Sequence, residues 1–107
     1  MTTEQKESLT KIIKDKCYIS SDDESIERRL TNIIEDAIMK VSDLIGFSEE
    51  ERESFNFSKP SLERDLLKNY CWYSWNDHET EFKNNYADDI MVLRTKYEVK
   101  NESKESQ

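Results

Sequence analysis

The one histidine, His78, stands in NDHETE among Asp77, Glu79 and Glu81, and Cys71 lies just upstream in KNYCWYSWND. These residue types could do chemistry: an imidazole among carboxylates can hold a metal or exchange protons, and a thiol beside an imidazole can act as nucleophile and base. The spacing argues against both. A metal-binding helix places a second strong ligand four residues on, where this chain has Phe82, and neighbouring carboxylates fan around a helix instead of converging. Cys71 and His78 are separated by two helical turns, about 10 Å, which is beyond hydrogen-bond reach. Cys71 therefore reads as a small buried hydrophobe and His78 as part of an exposed, solvated turn. No glycine-rich phosphate loop, CxxC pair, GxSxG or HExxH occurs. The acidic runs SDDE at 21–24 and EEE at 49–51 lack the spacing and glycine of a calcium loop and read as helix starts and solvated faces. Neither a catalytic site nor a metal or cofactor is expected.

The elements that would carry these residues follow from composition. A chain of 107 residues supports one modest core. Leu, Ile, Val and Phe supply 23 of the 107, so that core is thin and a partner could complete it. One glycine and one proline leave little turn chemistry for hairpins, which points to an all-α fold. The net charge of −8, with cations scattered among more numerous acids, offers no phosphate-tracking stripe and argues against tight nucleic-acid binding. The polar MTTEQKESLTKII start is unlike a secretory signal, no run approaches a membrane span, and the two cysteines stand far apart. Reduced thiols and a cytosolic origin are expected.

Leu9, Ile12, Ile13 and Cys17 place a first helix over about 3–16. Ser21 and Glu24 form a capping-box pattern, with Asp22 and Asp23 adding negative charge to the start of a long second helix. Its apolar residues run from Ile26 to Ile45 at helical steps, and Gly46 should end it. Residues 47–60 form a long loop with one short capped turn at Ser48 and Glu51. Phe47, Phe55 and Phe57 in that loop either anchor it to the domain's own core or dock onto another protein. Pro60 and Ser61 open a third helix facing inward through Leu62, Leu66, Leu67, Tyr70, Cys71, Ser74 and Trp75, which leaves Trp72 and Tyr73 pointing elsewhere. Phe82, Tyr86, Ile90, Leu93 and Tyr97 mark a fourth helix to residue 98, either separate from the third or continuous with it. The expected fold is a small antiparallel bundle of about four helices, one domain over 1–99, with a disordered polar tail over 100–107.

The order of these elements, the capped SDDESIERRLTNIIEDAIMKVSDLIGF helix and the LLKNYCWYSWND block followed by the helix from Phe82 to Tyr97 resemble the head-tail connector, or head-completion adaptor, proteins of tailed bacteriophages. The similarity covers about residues 8–99 and is weakest between Gly46 and Pro60. It implies a subunit that assembles as a ring, usually of twelve, beneath the portal protein, extends the DNA channel and presents a platform for tail or stopper proteins. DNA would pass an acidic lining without specific binding, through like-charge repulsion. The resemblance also implies that the C-terminal segment, from Tyr97 and Val99 onward, reaches the portal. The location implied is the virion's head-tail interface, after assembly in the host cytoplasm. On this reading Trp72, Tyr73, Phe55, Phe57, Tyr97 and Val99 are the interface residues, and Tyr73→Glu should spoil the ring yet leave the monomer folded. The alternative is a small acidic adaptor or inhibitor, of the nucleic-acid-mimic type, that binds a basic host protein.

Overall fold

Three helices end in the same backbone motif, and each ending sets where the chain turns. The computed structural model describes residues 1–21 and 23–105, with side chains through residue 102. Helix α1 (Thr3–Lys16) starts at Thr2, whose side chain and that of Gln5 cap each other's backbone N–H. It ends with the Ile19 N–H donating to the Lys14 carbonyl at 2.9 Å, which puts Tyr18 in the left-handed region at φ 58°. Helix α2 (Glu24–Ile45) closes the same way, with Phe47 N–H donating to the Ser42 carbonyl at 3.0 Å and Gly46 at φ 81°. Helix α4 (Leu62–Trp75) does so through His78 N–H and the Tyr73 carbonyl at 2.7 Å, with Asp77 at φ 58°.

Glycine occupies this position freely, aspartate tolerates it, and tyrosine is strained there. A Cβ on Gly46 would meet Arg94 atoms only at ordinary contact distances of 3.7 and 3.9 Å, so its cost would lie in the backbone alone. Gly46→Ala should therefore lower stability by about 1–2 kcal/mol, while Tyr18→Gly should raise it by up to about 1 kcal/mol, glycine's freedom in the unfolded chain offsetting part of the gain. Urea denaturation of the two variants checks the opposite signs.

Helix α3 (Glu49–Ser54) carries a capping box between Ser48 and Glu51. After α4 come a single 3-10 turn (Glu79–Glu81), the short α5 (Phe82–Asn85) and α6 (Ala87–Glu105). The molecule is thus all-helical, with six α-helices and no strand among the described residues.

Helix α4 lies at the centre, in contact with α1, α2 and α6. Directions follow from the polar links. Arg29, near the start of α2, donates to the Trp75 carbonyl at the end of α4 (2.8 Å), so those two run antiparallel. Lys96 and Tyr97 of α6 reach Glu63 at the start of α4, making that pair antiparallel too. The Lys14–Glu27 ion pair joins the end of α1 to the start of α2. Leu9, Ile13, Leu30, Ala37, Val41, Ile45, Leu66, Leu67 and Cys71 fill the resulting core and are essentially inaccessible to solvent, apart from Cys17 and Ile34 at its margin.

Several expectations need correction. Ser21 does not cap α2; Asp23 does, accepting from Ser25 N–H at 2.8 Å, while the Ser21 hydroxyl accepts from Asp23 N–H. The charge role expected of Asp22 lies outside the described residues. The long loop is shortened by α3, because Ser48 and Glu51 cap a full helix and not only a turn. The fourth helix is interrupted at Tyr86 (φ −116°, ψ 22°), although Phe82, Ile90, Leu93 and Tyr97 are all buried. The periodicity named the correct face but not the break, which falls after the poor helix formers Asn84 and Asn85. Finally, α6 extends to Glu105 instead of giving way to a tail at residue 100. Asn101 donates to Glu51 at 3.1 Å and Lys100 pairs with it at 3.4 Å, polar anchors that no hydrophobic period reveals. The expectation for residues 106 and 107 lies outside the described residues.

Candidate interaction surfaces

Helix α6 is apolar on two sides. One side, Ile90, Leu93 and Tyr97, enters the core as the spacing requires. The other presents Met91, Val92 and Val99, which are 61%, 60% and 58% exposed, with the exposed Thr95 between them. At 100° per residue, positions 91, 92, 95 and 99 fall within one sector of the helix, so they form a continuous stripe. Single exposed hydrophobes are ordinary, but a stripe on the solvent side of a packed helix is unusual in a chain with so few apolar residues. Val99 is among the residues expected to meet a partner, whereas Met91 and Val92 are not, because they lie off the inward period of the helix.

The six residues expected to meet partners are dispersed by the fold. Trp72 is at the surface, 36% exposed, as its place off the inward face requires. Tyr73 is half-buried: its ring packs edge-on against Phe82 and Tyr86 at 6.1 and 6.0 Å, and its hydroxyl accepts from Asn85 Nδ2 at 3.0 Å. The expectation that it points away from the domain is corrected, since α5 folds back over it. A charge at Tyr73 would disturb this packing, and Trp72 is the cleaner position for an interface variant. Phe55 is half-buried within a cluster formed with Phe47 and Phe57. Phe57 is wholly buried and Tyr97 nearly so, because loop and helix close on each other through Phe47, whose ring meets that of Tyr97 edge-on at 4.6 Å. Neither is available to a partner in this conformation.

A cleft of about 370 Å³ is lined by residues of α1, α2 and α3 and by none of α6. Helices α1 and α2 both rest on α4, and the gap between them is floored by Leu9 and Ile34 and walled by Ile38 and Met39. Lys6 stands at its edge from α1, and Arg52 from α3.

The groups capable of chemistry do not converge. Cys71 is fully buried; burial and the neighbouring Cys17 push its thiol pKa far up, which keeps it protonated. Burial also raises Cys17, against the opposing charge of Lys16. His78 is exposed at the end of α4, and Asp77 beside it serves as the left-handed residue of the turn. Among the described residues no three His, Cys, Asp or Glu side chains group as a metal site would require.

Two buried carboxylates were not foreseen. Glu63 accepts from the Tyr97 hydroxyl and from Lys96 Nζ (3.3 Å), and Glu51 accepts from Ser48 and Asn101 beside Lys100. Burial pushes the Glu63 carboxyl up, but its hydrogen bonds from Tyr97, its own backbone N–H and Lys96 outweigh that and hold it below its ordinary value of 4.5. Glu51 is lowered in the same way by Ser48, Asn101 and Lys100 against its own burial. Both stay ionised at neutral pH and pin the second half of α6 to α3 and α4. Their use is positional: each is held by groups of α6, and neither lines the cleft between α1 and α2.

No protein-family model, curated protein or solved structure matches this chain. No described helix is long and apolar enough to cross a membrane.

Proposed function

We propose that this chain is a structural adaptor of the head-tail connector kind, a non-enzymatic subunit that docks beneath a phage portal, extends the DNA channel and offers a platform to tail or stopper proteins. The single observation that carries the reading is the exposed Met91–Val92–Val99 stripe on a helix whose opposite side is already in the core. A thin core with surplus apolar surface suits a protein completed by its neighbours. Further support comes from the dispersal of the nucleophilic and titratable groups and from the resemblance in element order and in the LLKNYCWYSWND block. The acidic balance suits a channel part past which DNA slides without adhering. Val99 at the surface, with α6 continuing beyond it, suits a C-terminal segment that meets the portal.

The test is co-expression with the portal protein encoded by the same genome, followed by the native mass of the purified portal particle with and without this chain. The expected result is a gain equal to a whole number of 12.8 kDa copies. A well-formed portal with no gain rejects the connector role. In that event, capture of a basic protein by this chain, lost steeply with added salt, would support the alternative of a small acidic adaptor or inhibitor, for which the net charge of −8 speaks.

A further inference from the structure

The stripe on α6 and the cleft between α1 and α2 are unpartnered apolar features of the described surface, and they lie on different elements. We infer that they are the two halves of one contact: the outer face of α6 in one copy seats in the α1–α2 cleft of the next. This rests on the reading of the chain as a self-assembling structural subunit, and names the surfaces through which copies would meet.

Shape is the first reason. Helices α1 and α2 share α4 as a support and leave a cleft between them, and a cleft between two helices is a setting in which an amphipathic helix is received by anchors at about i, i+4 and i+8. Met91, Thr95 and Val99 have that spacing, and Val92 widens the row on one side. Met39, 48% exposed on the cleft wall, is a flexible surface against which such anchors can pack.

Charge is the second. Arg94, Lys96 and Lys100, the cations flanking the stripe, are engaged within the chain by Glu98, Glu63 and Glu51. What remains free along the stripe is acidic: Asp88 at its start and Glu102 at its end are exposed and make no ion pair among the described residues. At the cleft, Lys6 and Arg52 are the cations without an ion pair there, although Glu35 and Glu53 also border it. An acid-ended apolar stripe thus finds two free cations, Lys6 and Arg52, at the cleft, where Glu35 and Glu53, also outside any ion pair among the described residues, would favour only a register that keeps the stripe's acids beside those cations.

Because stripe and cleft are different surfaces, the contact is head-to-tail. Each copy uses one half on each neighbour, so copies propagate until the rotation closes them, whereas a stripe-on-stripe contact would stop at two.

The test uses two variants of the full chain, Met91→Asp/Val92→Asp on the stripe and Lys6→Glu/Met39→Asp on the cleft, both at surface positions. Their masses in solution are measured over a concentration series at near-physiological salt, with circular dichroism to confirm that each is folded. The expected result is that the parent's mass rises above 12.8 kDa with concentration and that each variant alone stays monomeric. An equimolar mixture, which contains one intact stripe and one intact cleft, should form pairs and nothing larger. Should a double variant fail to fold, Val99→Asp serves for the stripe and Lys6→Glu alone for the cleft. A parent that remains monomeric at every concentration overturns the contact, as does a cleft variant that still associates by itself, or a mixture that stays monomeric. The portal-particle mass separates the two proposals: if both variants still add to the portal as the parent does, the adaptor role stands and this contact falls.

Discussion

Phe57→Ala should destabilise the protein by about 3–5 kcal/mol, the cost of deleting a buried phenylalanine and leaving its cavity. Such a loss takes a large share of the roughly 5–15 kcal/mol that holds a domain together. Phe57 is wholly buried, with the Phe55 ring 4.8 Å away and Phe47 at 6.1 Å, so no solvent-side relaxation can fill the gap. The effect is large because this ring backs Phe47, through which the loop meets Tyr97 of α6. Thermal unfolding followed by circular dichroism measures it, with Val99→Ala as the comparison, expected within about 0.5 kcal/mol of the parent as an exposed change. A Phe57→Ala chain that melts with the parent would return Phe57 to the surface and undo the assignment of this loop to the core.

Glu63→Ala is expected to cost about 1.5–3 kcal/mol at neutral pH, the range for a hydrogen bond to a charged group together with a buried partner left unsatisfied. The Tyr97 hydroxyl is the partner that would lose its acceptor, and Lys96 would lose its counter-charge. The pH dependence has a definite sign. The folded-state value of Glu63 lies below its ordinary 4.5, so its contribution is fully present above 4.5 and is lost as pH falls through the lower folded value. Stability of the parent and of Glu63→Ala should therefore differ most near neutrality and converge on acidification below pH 4.5. Denaturant midpoints at a series of pH values give the comparison. A gap that stays constant, or widens in acid, would mean that the carboxylate does not hold α6 through its charge. Glu51 acts in the same direction on the adjoining turn of α6, so the parent itself should lose stability in the same window.

Both results concern polar or aromatic groups whose places the sequence did not announce. Glu63 reads as an ordinary acid in the first turn of a helix, where the dipole favours it, and nothing nearby in the chain marks it as the acceptor for a tyrosine 34 residues on. Glu51 was legible as half of a capping box, and that half is correct; its second role, holding Asn101 and Lys100, depends on α6 passing overhead. Phe57 could be narrowed to two outcomes, core or partner, because aromatic residues in an aperiodic segment carry no phase.

What the sequence determined by itself was local. The all-helical class, the start of α1 within a residue, the end of α2 at Gly46, the capped turn at Ser48 and the inward faces of α2 and α4 follow from spacing and from caps acting within a few residues. The burial of Cys71 and the isolation of His78 follow from the same local rules. The tertiary structure alone decided which side of α6 is left open, that Tyr73 is covered by α5, that the Tyr97 hydroxyl finds Glu63, and that α1 and α2 part to form a cleft. Each of these depends on how many neighbours a helix receives and from which side. A period of 3.6 residues records the face that a helix turns to its core, but it carries no information on how far the core's other elements reach around it.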